Sequence, residues 1–147
     1  MEITYELVTE APEDWTGSYL IAYTAGDTTY VFNGNEEVNG HVKTTVTDNK
    51  ITFAEGMEPV VVAAMEGGYS LHVTNGYMYG QSSANSLKFS EEPSVTTLAL
   101  DEDGNAVITN DTAIFRFNSN ANQLRFRFYK PTSTSMPLPQ LYKLVEG

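Results

Sequence analysis

"FRFNSNANQLRFRFYK", residues 115–130, holds every arginine of a chain whose formal charge is −11. Both ends of the stretch alternate between ring and polar group, with a run of amides between them. Successive side chains of a β-strand point to opposite faces. The spacing therefore predicts two strands joined by a polar loop. Phe115, Phe117, Phe126 and Phe128 share one face, and Arg116, Asn118, Arg125, Arg127 and Tyr129 share the other. Like charges on neighbouring strands repel, so the second face needs an anionic or π-rich partner. Two partners fit. The acidic remainder of the chain offers carboxylates for internal ion pairs. A glycan offers flat faces for Arg and Tyr, and hydroxyls for the neighbouring amides.

The same period of two runs outward through the chain. "SYLIAY" (18–23), "TTYVFN" (28–33), "PVVVAAM" (59–65), "GYSLHV" (68–73), "GYMYG" (76–80) and "TTLALD" (96–101) all read as strands. So do "HVKTTVT" (41–47), "KITFAE" (50–55), "LKFSEE" (87–92), "NAVIT" (105–109) and "QLYKLV" (140–145). Turn formers such as Asn33-Gly34, Asn75-Gly76 and Asp103-Gly104 separate them. The expected fold is all-β: a compact barrel of about a dozen short antiparallel strands, β-trefoil-like in preference to a β-sandwich. Three stretches share one grammar of glycine turn, alternating strand, second turn and aromatic strand: 16–34, 67–81 and 103–119. "YELV" near the start and "LYKLV" near the end look like paired closing strands. Only "APEDW" (11–15) suggests a brief turn of helix.

A chain of 147 residues fits a single domain, 1–147, with a real core. No apolar run approaches the ~20 residues a membrane span needs. The opening "MEITYELV" carries no signal-peptide pattern, and a Met followed at once by a strand suits a domain taken from a longer secreted protein. With no cysteine, disulfides, thiolate metal sites and a cysteine nucleophile are excluded together. Residues 1–111 balance at −15 and residues 112–147 at +4. A chain this acidic is repelled by phosphate backbones, so nucleic acid is not an expected partner.

Catalytic motifs are missing. There is no G-x-S-x-G, no H-E-x-x-H and no phosphate-binding glycine loop. His72 falls on the polar face of its strand with Ser70 and Thr74, which makes it solvent-facing. Adjacent carboxylates such as Glu36–Glu37 and Glu91–Glu92 point to opposite faces of a strand and do not converge on one bond. In "DEDGN" (101–105) the glycine comes two places too early for an EF-hand-like calcium loop, and a hairpin turn is the better reading. Neither a cofactor nor a metal site is expected.

Nine Tyr, seven Phe and one Trp supply the remaining chemistry. Tyr77 and Tyr79 share a strand face ahead of a loop with Gln81 and Asn85, which reads either as a hairpin with core-edge tyrosines or as a sugar platform. Trp15 either anchors the first hairpin from the core or stacks on a sugar from the surface. The candidate sugar-binding set is Trp15, Tyr77, Tyr79, Gln81, Asn118, Arg125, Arg127 and Tyr129.

"YELVTEAPEDWTGSYLIAY" (5–23), "AAMEGGYSLHVTNGYMYGQ" (63–81) and "FRFNSNANQLRFRFYK…LPQLYKLV" (115–145) resemble, in this order, a family of all-β accessory domains at the ends of secreted bacterial proteins, often beside hydrolase or nuclease-like catalytic domains. The resemblance implies a secreted or cell-surface, non-catalytic module, with glycan or polysaccharide binding as its inferred role. Its expected setting is a monomeric unit beside an attached catalytic domain. The alternative is a structural or protein-interaction domain with no small ligand, its arginines paired internally.

Overall fold

The alternation is realised as fourteen strands, with no helix among residues 2–145, which the computed structural model describes. They are β1 (Thr4–Leu7), β2 (Gly17–Ala25), β3 (Thr28–Phe32), β4 (His41–Thr44), β5 (Lys50–Thr52), β6 (Val60–Met65) and β7 (Gly68–Val73). There follow β8 (Gly76–Gln81), β9 (Ala84–Ser90), β10 (Thr97–Leu100), β11 (Ala106–Asn110), β12 (Ala113–Asn118), β13 (Arg125–Tyr129) and β14 (Gln140–Leu144). Every pairing is antiparallel, in the order β10-β11-β12-β13-β9-β8-β7-β6-β2-β14-β1-β5, with β3 beside β2 and β4 beside β3. No helix among the described residues is long and apolar enough to cross a membrane.

The sheet is curled, and distant parts of it meet. Tyr69 and Thr96 form a bridge that brings the start of β7 to the approach of β10. The Ala106 amide at the start of β11 donates to the Pro139 carbonyl just ahead of β14. Side chains from β2, β6, β7, β10, β11 and β14 consequently surround one apolar interior, among them Tyr19, Val62, Leu71, Leu98, Ile108 and Leu141. Only about 10 Å³ of space is left there, so the interior is filled by side chains. The expected pairing of the chain ends is also present: Tyr5 lies opposite Leu144 and Leu7 opposite Tyr142.

β2 explains why "LIA" carries no polar residue. Tyr19 and Ile21 enter the main core, whereas Leu20 and Ala22 enter a second cluster with Tyr5, Val31, Ile51, Met57 and Tyr142. A strand covered on both faces loses the alternation that a half-solvated strand shows. The expected turn of helix at 11–15 does not form. Asp14 instead accepts the Thr16 amide at 2.9 Å and the Thr16 hydroxyl at 2.7 Å, a side-chain turn that leads straight into β2.

The hairpin that opened the sequence reading has the predicted face. Phe115 lies opposite Phe128 and Phe117 opposite Phe126, and all four rings are fully buried. Phe32 meets Phe115 and Phe126 edge-on at 5.5 and 5.8 Å. Gly80 lets this cluster approach β8: a Cβ there would lie 2.6 Å from the Phe128 ring. The turn between β10 and β11 is closed by Asp101, whose carboxylate accepts the amides of Asp103 and Asn105 at 2.9 Å each, as the hairpin reading of "DEDGN" expects.

Two outcomes test this packing. Gly80→Ala drives a methyl group into the buried Phe128 ring and lowers stability by about 1–3 kcal/mol, read as a fall in melting temperature. His41 sits edge-on to Tyr30 at 4.9 Å, and burial, with Lys43 adding to it, holds its pKa below the ordinary 6.5. The unfolded chain therefore takes up a proton that the folded chain resists, so stability declines as pH falls below about 6.5. Melting temperatures from pH 8 to 5 in the wild type, set against a flatter profile in His41→Gln, check this.

Candidate functional site

Three strand triads carry matching registers. Thr24 lies opposite Thr29, which lies opposite Thr44. His72 lies opposite Tyr77, which lies opposite Ser90. Thr109 lies opposite Ile114, which lies opposite Tyr129. The residues that follow the third position are Thr45, Glu91 and Lys130. One backbone pattern thus presents three different surfaces.

The second triad lines a groove of about 350 Å³ together with Asn75, Gly76, Phe89 and Glu91. Tyr77 is half-buried there, with the exposed His72 imidazole 4.7 Å from its ring. Asn75 donates its amide to the Gly34 carbonyl at 3.2 Å, which holds the turn and leaves its side-chain oxygen as an acceptor. Ser90 accepts the Glu92 amide at 3.1 Å, and Glu91 is exposed. Two residues along, Tyr79 lies opposite Lys88, and Gln81 follows a register shift at the strand end. Thr24 and Thr29 of the first triad line a second groove of about 350 Å³ with Asp27 and Thr45, and it contains no aromatic ring.

The tight turn behind the Tyr77 groove sits one residue upstream of the Asn-Gly pair. Val73 pairs with Gly76, so Thr74 and Asn75 form the two-residue loop. Gly76 takes φ +128°, and a Cβ there would lie 2.9 Å from the Ser90 carbonyl oxygen. This register brings His72 opposite Tyr77. Alternation alone puts His72 on the polar face of its strand and does not show which residue lies across the hairpin from it. The signal available was the hairpin arithmetic of "HVTNGY". His72 is exposed as expected, whereas Ser70, expected beside it on the polar face, is buried.

The structure scatters the rest of the candidate set. Trp15 is 5% exposed and packs 6.3 Å from Tyr19, so its ring faces are taken by the core. Asn118, expected to face outward, is buried; its side-chain oxygen accepts the Asn120 amide at 3.0 Å to start the loop. Tyr129, also expected outward, is buried at 3% exposure, with the Arg127 guanidinium 5.4 Å over its ring. Alternation placed both on the correct strand side, but that side is partly covered. Asn39 donates its amide to the Leu124 carbonyl at 2.7 Å and draws the 33–40 loop over β13. Met136 accepts from Arg116 Nη1 at 2.8 Å and draws in the 131–137 segment.

Arg116 and Arg127 are directly opposed across the two strands, with Arg125 opposite Asn118. Glu36 is the one carboxylate within ion-pair distance of these guanidinium groups among the described residues, 3.5 Å from Arg127 Nη1. The same Glu36 oxygen accepts the Leu87 amide at 2.9 Å. Burial pushes the Arg116 pKa down. Internal ion pairing therefore accounts for Arg127 and, among the described residues, leaves the other two arginines without a carboxylate.

No protein-family model matches the chain, and neither a curated protein nor a solved structure matches it.

Glu36 separates two contributions. Glu36→Gln keeps an acceptor for the Leu87 amide and loses only a partly exposed ion pair, so it costs less than about 1 kcal/mol. Glu36→Ala also orphans the amide and costs about 1–3 kcal/mol. Chemical denaturation of both variants reads the difference.

Proposed function

We propose that this chain is a non-catalytic sugar-binding module that uses the His72–Tyr77–Ser90–Glu91 groove to hold an attached enzyme near a glycan. The observation that carries this reading is the convergence, in one groove of about 350 Å³, of an aromatic ring, an imidazole, a carboxylate and an amide oxygen. Sugars present apolar C–H faces next to hydroxyls that both donate and accept. A tyrosine flanked by acceptors and donors complements that pattern. A half-buried ring is also cheap to use, since packing from behind has already ordered it. Tyr79 and Gln81 extend the same strand and are the natural contacts for a second sugar unit.

The reading extends to the fold. Six strands around one apolar interior, with three register-matched triads, support a β-trefoil: β2, β6, β7, β10, β11 and β14 form the barrel, and the hairpins β3–β4, β8–β9 and β12–β13 cap it. The three stretches of shared grammar at 16–34, 67–81 and 103–119 begin where the three units begin. On this reading only the second unit has kept an aromatic groove; threonines occupy the first and Ile114 with Tyr129 the third. The module belongs to a secreted or cell-surface bacterial protein, in keeping with the resemblance of its three segments.

A glycan array followed by NMR titration of a responding oligosaccharide tests the function. The expected result is weak, fast-exchanging binding whose shifts centre on His72, Tyr77 and Glu91. Tyr77→Ala weakens it at least about tenfold, as loss of an aromatic anchor does, while the melting temperature barely moves. Silence across plant, host and microbial panels would sink the reading, and so would undiminished binding by a folded Tyr77→Ala protein.

A further inference from the structure

We infer that the arginine face of β12 and β13 is a separate anion subsite, built for the carboxylate of an acidic sugar. The three guanidinium groups lie on two adjacent strands, and Arg116 faces Arg127 directly. Like charges in that relation destabilise a sheet. The chain carries 19 acidic residues, yet among the described residues only Glu36 comes within ion-pair distance, and only of Arg127. Arg116 spends its one hydrogen bond on the neutral Met136 carbonyl. The Arg125 side chain makes neither a hydrogen bond nor an ion pair among the described residues.

The Nε atoms of all three arginines are sealed from solvent without a partner. Arg125 as a whole is partly exposed, so the end of its fork is what an incoming group meets. A guanidinium whose Nε is closed off gains from an ion that meets its accessible end. A carboxylate is planar and offers two oxygens, which match the paired N–H groups of a guanidinium. The adjoining loop exposes Asn120, Asn122 and Gln123, amides suited to the hydroxyls beside a sugar carboxylate. The net charge of −11 opposes the approach of an anionic chain. At physiological salt, however, screening confines that opposition to about 8 Å, and the local field of the arginines governs the encounter.

The inference rests on the sugar reading for the class of molecule and on the arginines alone for its charge. The test is an NMR titration of the full chain, following backbone amides and arginine Nε–H signals. The probes are a galacturonic acid trimer, its methyl ester, a neutral glucose trimer and sodium sulfate, all at one ionic strength. The expected result is a saturable shift of Arg125, Arg127 and the β12–β13 amides with the acid trimer alone. Arg125→Gln then weakens binding roughly tenfold or more. Arg125→Lys, which keeps the charge but loses the planar fork, recovers part of it. No response at β12–β13, an equal response to the methyl ester or to sulfate, or shifts confined to the Tyr77 groove would each overturn the inference. The wild-type map decides even if an arginine variant fails to fold. Neutral-trimer binding at Tyr77 without any response at the arginines removes this inference and leaves the sugar reading standing.

Discussion

The fold depends on the burial of four phenylalanines on one face of a two-stranded hairpin. Phe115, Phe117, Phe126 and Phe128 are fully enclosed, and Phe115 and Phe126 meet Phe32 edge-on. Their registry, 115 opposite 128 and 117 opposite 126, admits no one-residue slip, because a slip would turn both rings of the slipped strand to the outside. Arginine is thereby forced to the far face. Its position reflects the only side the rings leave open as much as any attraction there. The hydrophobic term is the larger: each buried ring is worth about 1.5–3 kcal/mol, against a few tenths to 1 kcal/mol for a cross-strand repulsion. The cluster wins, and the arginines bear the strain.

A second constraint is polar. Asn110 is buried at the end of β11 and spends its whole side chain on distant backbone and hydroxyl groups. It accepts the Gly80 amide at 3.1 Å and donates to Ser94 and Thr96 hydroxyls and the Val95 carbonyl at 3.0–3.1 Å. A satisfied buried network of this kind rewards one register and penalises every other. It ties β8, β10 and β11 at the point where the sheet curls back on itself. With those ties in place the three triads keep one backbone geometry while their side chains diverge, and the aromatic groove belongs to only one of them.

Strand positions were largely legible because period-two alternation is local. Tyr77 and Tyr79 were legible as one face for the same reason. Where side-chain exposure departs from the alternation, distant chain is responsible. Asn118 and Tyr129 are on the predicted side of their strands, yet both are buried, since loops from residues 33–40 and 131–137 lie over that side. Asp14, read within a helical turn, prefers to bond the Thr16 backbone. His72 acquires a role only through the offset loop at Thr74 and Asn75, which sets it against Tyr77.

The sequence by itself determined the all-β class, the phenylalanine face and the approximate turn positions, because each follows from sterics acting over two or three residues. Tertiary structure decided what covers the opposite faces, which turn register brings His72 to Tyr77, and that Glu36 reaches Arg127. Those outcomes depend on contacts between segments tens of residues apart. No local period encodes them, since the direction of a side chain is set by its own strand and its neighbours by the path of the whole chain.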